Sequence, residues 1–133
     1  MKVMIDTNIF ISAALYPDGK VSEALMKALS PPFRPITCDY VIDELHRVFY
    51  EKFSDRVTEM EAFLYAVSKT VAVVPVPSEI YHAEACIRDP QDRPILRAAL
   101  SSSVNLFLTG DRDFLDSSID DPRIISVAEF LSL

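Results

Sequence analysis

The chain has 133 residues, 50% hydrophobic and 25% charged, which excludes a disordered protein and is enough for one sizeable core. Acids outnumber bases 20 to 13, and the net charge of −7 argues against broad nucleic-acid binding through a basic surface. Two cysteines are too few for a disulfide scaffold, and two glycines too few for a glycine-rich phosphate loop.

Lys2 to Ile5 is a short apolar run ending at Asp6 and reads as a buried strand. Asp6 and Asn8 interrupt that run too early for a signal peptide, and no stretch of the chain is long and apolar enough to span a bilayer. Thr7 or Asn8 then caps an apolar helix, Ile9 to Leu15. After a Pro17-Asp18-Gly19 turn, Val21 to Leu29 forms a second helix, ended by Ser30-Pro31-Pro32. Arg34 to Cys38 is a strand, and Asp39 caps a helix to about Glu51. Ser54 or Asp55 caps the next helix, Val57 to Lys69. The β-branched run Val71 to Val76 reads as a buried strand, and Ser78 opens a short helix to Ile87. Asp89-Pro90 or Asp92 begins a helix that continues to Ser103. Asn105 to Thr109 is a strand leading into Gly110-Asp111, and Pro122 precedes a last strand, Ile124 to Val127, and a final helical turn. Cys38 and Cys86 read as small core residues of a protein in a reducing cytosol, and cytoplasmic localisation is the expectation.

Strand and helix alternate from end to end, without repeat, linker or low-complexity tract. The expectation is a single domain over residues 1–133, of α/β class, with a parallel sheet covered on both faces. In such folds ligands bind beyond the carboxyl ends of the strands, where the strand order reverses. Asp6 and Asp111 each follow a predicted strand, so neighbouring strands would aim both carboxylates into one crevice. In the helix after Asp39, Glu44 lies ~100° from the centre of the apolar side and Asp43 ~160° from it. Glu44 therefore borders the core. Asp92 lies in line with Ile95, Leu96, Ala99, Leu100 and Ser103, and a carboxylate in the plane of a buried stripe needs a partner.

Acids gathered at one place suit Mg²⁺ or Mn²⁺, which take oxygen ligands and attract phosphate rather than repel it. Such ions lower the pKa of an attacking water and stabilise a departing oxygen, so no serine, cysteine or histidine nucleophile is required. Each acid also has a purely structural reading. Asp6 can start a helix, Glu44 can be a solvated helix residue, Asp89 or Asp92 can cap, and Asp111 can belong to a turn. Arg88, Arg93, Arg97 and Arg112 cluster in sequence around Asp92 and Asp111, as phosphate contacts or as ion-pair partners of the nearby acids. His46 and His82 are not spaced as a zinc pair.

Val3-Met4-Ile5-Asp6-Thr7-Asn8 resembles the opening of PIN-domain nucleases. Arg88-Asp89-Pro90-Gln91-Asp92-Arg93-Pro94-Ile95-Leu96 resembles the third motif of that family, and Leu108-Thr109-Gly110-Asp111-Arg112-Asp113-Phe114 its last. Glu44 fits the second acid by context. The resemblance spans Lys2 to about Val127 and is nearest to the toxin components of prokaryotic toxin–antitoxin pairs. It implies a sheet of about five strands in the order 3-2-1-4-5, and cleavage of single-stranded RNA with Mg²⁺ or Mn²⁺ to leave a 5′-phosphate and a 3′-hydroxyl. It implies Asp6, Asp92 and Asp111 as metal ligands, with Glu44 completing the set or holding water. Thr7, Asn8 and Thr109 would support the site or touch substrate, a role for which Arg88, Arg93 and Arg112 are candidates by their place in the sequence. Asp113 and Asp116 are further acids of lower rank, and Pro94, which departs from the family pattern, would let Asp89 contribute in place of Asp92 if it shifts the start of the helix. A cognate antitoxin protein and a homodimer are the partners it implies.

Two other readings compete. A phosphatase using Asp6 as nucleophile wants an acid two residues later, where Asn8 stands. A PIN-like domain of weak activity that only binds protein or RNA would not need all of Asp6, Glu44, Asp92 and Asp111.

Overall fold

Val3, Met4 and Ile5 are wholly enclosed, as are Phe107 and Leu108, so these strands are apolar on both faces and must be covered on both. The computed structural model describes all 133 residues and provides that cover. Strands β1 (Lys2–Ile5), β2 (Arg34–Cys38), β3 (Ala72–Val74), β4 (Leu106–Leu108) and β5 (Arg123–Ile125) form one sheet. Every pairing is parallel, in the order β3-β2-β1-β4-β5. Helices α1 (Thr7–Leu15) and α2 (Lys20–Ala28) join β1 to β2, and α3 (Asp39–Lys52) and α4 (Val57–Ser68) join β2 to β3. Helix α5 (Arg93–Ser101) precedes β4, α6 (Arg112–Leu115) separates β4 from β5, and α7 (Val127–Leu131) follows β5. No helix is long and apolar enough to cross a membrane.

The strand order reverses between β1 and β4. Their register pairs Ile5 with Leu108, so the next residues along, Asp6 and Thr109, leave the sheet side by side. The Asp6 N–H still donates to the Leu108 carbonyl, 3.1 Å away, so the ladder continues to the edge of the crevice. Helix α3 buries Val41, Leu45 and Phe49, leaving Glu44 half-buried and Asp43 exposed, as the helical angles require.

Several local expectations are corrected. Asp6, not Thr7 or Asn8, caps α1. Asp39 is the first residue of α3, and its carboxylate accepts from the N–H groups of Tyr40 and Val76 at 2.8 and 3.2 Å. The run expected as a buried strand is only the three residues of β3, on the sheet edge, with Val73 49% exposed. It has one neighbour, and Pro75 and Pro77 offer no N–H to extend the ladder. Residues 78–87 form no α-helix, only a 3₁₀ turn over His82–Cys86, which leaves Cys86 exposed rather than in the core. Helix α5 ends at Ser101, and Ser103, at φ 53°, turns outward. The last strand stops at Ile125 because the Ser126 side chain caps α7 in a reciprocal box with Glu129. Helix α6 had no counterpart in the sequence reading.

Candidate active site

Asp6 sits where β1 turns into α1. Its Oδ1 accepts from the Thr7 N–H at 2.8 Å and its Oδ2 from the Thr109 hydroxyl at 2.6 Å. The Thr109 oxygen in turn accepts from the Asp111 N–H at 2.9 Å, so one hydroxyl bridges the two strand-end acids. Asp111 caps α6, its Oδ1 accepting from the Asp113 N–H at 2.9 Å. The Thr7 hydroxyl donates to Glu44 Oε1, tying α1 to α3, and the Glu44 Oε2 lies 3.7 Å from the Arg47 guanidinium.

Asp92 stands at the junction of a 3₁₀ turn (Pro90–Asp92) and α5. Both sequence registrations are thus partly realised: Asp89 caps the turn with Pro90 first in it, and α5 proper begins after Asp92. The Asp92 carboxylate is half-buried and accepts no hydrogen bond. One carboxylate oxygen each from Asp89, Asp92 and Asp113 lies within 4.8 Å of the others, the one acidic group gathered this tightly, and of the four acids it includes only Asp92. Arg88 grips Asp113 with two hydrogen bonds, at 3.0 and 3.3 Å.

The electrostatics show that these acids share one field. Burial is the main cause that pushes Asp6 from its ordinary 3.8 up to about 6, and the charges of Asp111 and Glu44 add to it. The bonds from Thr109 and Thr7 pull the other way. Asp92 is pushed up to about 7, first by burial and then by Asp111, Asp89, Asp6 and Glu44. Asp6, Glu44, Asp92 and Asp111, from four separate elements, therefore act on one another, and of the four only Glu44 has a basic partner, Arg47 at 3.7 Å. An all-oxygen donor set of this kind fits a hard divalent cation such as Mg²⁺ or Mn²⁺. Cys38 is buried in the core, its thiol pushed by burial up to about 11, and offers no thiolate to a softer metal.

The remaining residues singled out in the sequence divide. Arg112 pairs with Asp116 at 2.6 Å on an exposed face. Arg97 pairs with Glu84, and the Arg93 Nε donates to the Ile87 carbonyl at 3.0 Å. Asn8 is exposed on the first turn of α1. An apolar groove of about 320 Å³ between α3 and α4, lined by Ile42, Leu64, Val67, Val71 and Val73, contains none of the four acids.

Sequence reasoning missed Tyr40 and Glu84. The Tyr40 hydroxyl donates to the Gln91 carbonyl at 2.6 Å, and its pKa is raised by burial and by the charges of Glu44 and Asp92. Its one sequence signal is its place four residues before Glu44, on the same side of α3. Glu84 is buried in a 3₁₀ turn and has no such signal.

A family model described as PIN domain matches residues 2–113. Among solved structures, the fold is similar to a chain of VapBC2 from Rickettsia felis bound to a promoter DNA fragment, with TM-score 0.73 and 13% identity over 95% of this chain and 98% of that one. It is similar to a chain of DNA-bound VapBC from Salmonella typhimurium, with TM-score 0.70 and 19% identity over 96% and 98%. A toxin–antitoxin complex from Klebsiella pneumoniae gives TM-score 0.65 and 18% identity over 94% and 97%. No curated protein matches the sequence.

Proposed function

The chain belongs to the PIN-domain family, and from that premise we propose that it is a metal-dependent endoribonuclease acting on single-stranded RNA, the toxin of a toxin–antitoxin pair. The convergence of Asp6, Glu44, Asp92 and Asp111 at the reversal of strand order carries this reading. A bound Mg²⁺ or Mn²⁺ would supply the charge that makes water nucleophilic near neutral pH and stabilises the departing 3′-oxygen. Asp6 and Asp111, each held by a backbone N–H and linked through Thr109, present their remaining lone pairs at fixed positions. Asp92 completes the set from the opposite wall. Glu44, with Oε1 fixed by Thr7, takes the proton of the attacking water on Oε2. Arg93 has only its Nε committed, which leaves its terminal nitrogens free to meet a backbone phosphate.

A surface of net charge −7 repels free polyanions, so RNA approaches only where the crevice acids are neutralised. The similar chains come from complexes described as VapBC or toxin–antitoxin, which supports a cognate antitoxin as protein partner; a homodimer is the assembly we propose.

The test is labelled single-stranded RNA incubated with the protein in Mg²⁺ or Mn²⁺, with EDTA and Asp6→Asn as controls. Cleavage into 5′-phosphate ends, lost in both controls, is the expected result. Cleavage that survives Asp6→Asn would remove the activity from this site.

A further inference from the structure

Asp6, Thr7, Thr109 and Asp111 are welded together by hydrogen bonds at the ends of β1 and β4, and Thr7 extends that network to Glu44. Asp92 is outside it. Its carboxylate accepts no hydrogen bond and is repelled by Asp111, Asp89, Asp6 and Glu44. The turn that carries Asp92 is held from within, by Gln91 N–H to the Asp89 side chain at 3.0 Å and Asp92 N–H to the Asp89 carbonyl at 3.1 Å. Those bonds fix the shape of the turn, and Arg88, just before it, ties it to Asp113 on α6; none of them sets its distance from α3.

We propose that Tyr40 is a positioning residue for the acidic crevice, its hydroxyl bond to the Gln91 carbonyl setting the distance between Glu44 on α3 and Asp92 at the start of α5. The inference rests on the reading of these acids as one metal centre. The bond spans 51 positions of sequence and is the only hydrogen bond that joins α3 to the turn. At 2.6 Å it is short, as phenolic O–H donors make them. It lands on the backbone one residue before Asp92, so the register does not depend on the exposed Gln91 side chain. Tyr40 and Glu44 are one helical turn apart on α3, so the same rigid rod bears the acid and the strut that spaces its opposite. Like charges push the two walls apart in the metal-free protein, and the strut opposes that motion. A cation would then meet Glu44 and Asp92 on walls whose spacing is already set.

Mn²⁺ is titrated into the metal-free full chain at about pH 8, where the carboxylates are ionised. The proteins compared are the wild type, Tyr40→Phe, Tyr50→Phe and Asp6→Asn, with melting temperatures recorded in EDTA. Tyr50→Phe is the control, because its hydroxyl bonds Glu61, which is not among the crevice acids, and its ring stays. Tyr40→Phe should bind Mn²⁺ roughly two- to tenfold more weakly, the worth of one such hydrogen bond, while Tyr50→Phe matches the wild type. Tyr40→Phe that binds Mn²⁺ like the wild type overturns the proposal and leaves the metal centre standing. Equal weakening in Tyr40→Phe and Tyr50→Phe, in step with melting temperature, also overturns it, as general loosening of α3. Wild type and Asp6→Asn titrating alike would overturn the metal centre itself, and the positioning role with it.

Discussion

Thr109 donates its hydroxyl to the Asp6 carboxylate across the β1–β4 pair, 2.6 Å away, at the one place in the sheet where the strand order reverses. The same oxygen accepts the Asp111 N–H, so one hydroxyl serves both acids. Thr109→Val keeps the shape and removes both bonds. It leaves a buried carboxylate short of a donor and should cost about 1–3 kcal/mol in urea unfolding. Because the Thr109 bond is the strongest influence lowering the Asp6 pKa, that pKa should rise further, and Mn²⁺ affinity near neutral pH should fall.

The metal-free protein should lose stability as pH rises from about 4 to about 7. Asp6 and Asp92 titrate in the folded state at about 6 and about 7, against 3.8 ordinarily. Between those values the folded chain holds protons that the unfolded chain has released, so folding is favoured at the acid end of the window and disfavoured as the groups ionise. For buried Asp6 the effect is on the order of 2–3 kcal/mol. Glu84 and Glu129 are held below their ordinary 4.5, so they act in the opposite sense and only at the acid end of this window and below it. Melting curves in EDTA should show the fall, Asp6→Asn should reduce it, and saturating Mn²⁺ should reverse it by binding the ionised form.

Asp111 has two separable duties, a cap for α6 and a crevice acid. Asp111→Asn keeps a good capping side chain and should leave stability within about 0.5 kcal/mol, whereas Asp111→Ala should cost about 1 kcal/mol. RNA cleavage should be lost in both. A substantial activity in Asp111→Asn would confine the residue to its structural duty.

Glu84 and Arg97 form a pair that is nearly closed to solvent, with side chains 3% and 17% exposed and three N–H···O contacts of 2.9 to 3.2 Å. A further bond from Arg97 to the Pro77 carbonyl makes this the clasp that holds the loop after β3 against α5. Glu84→Ala strands a guanidinium and should cost about 3–5 kcal/mol in denaturant unfolding. Glu84→Gln, which keeps an acceptor, should cost less.

What the sequence made legible is what periodicity and element ends encode. The strand ending at Ile5 and the apolar stripe after Asp92 are one-dimensional signals, and they placed Asp6, Glu44 and Asp92 near the same edge. Asp111 was legible as a strand-end acid, but α6 was hidden because four residues are too few to show a helical period. Segment 78–87 went wrong for a different reason: its shape is dictated by Arg97, a partner 13 positions from Glu84, and not by local preference. The same holds for β3, where β-branching said strand and the sheet edge decided its exposure. The bond of Tyr40 was invisible because its partner is a backbone carbonyl, and a carbonyl has no letter in the sequence.

Both margins of the sheet are strands of three residues, Ala72–Val74 followed by Pro75 and Pro77, and Arg123–Ile125 preceded by Pro122. Ribbons so short, with prolines that withhold N–H groups, give an incoming strand almost nothing to zip onto. A chain half made of hydrophobic residues is thereby protected from growing into sheet-on-sheet fibres at either end. Self-association of the folded molecule is left to its helical surfaces, where side chains, and not generic backbone, choose the partner.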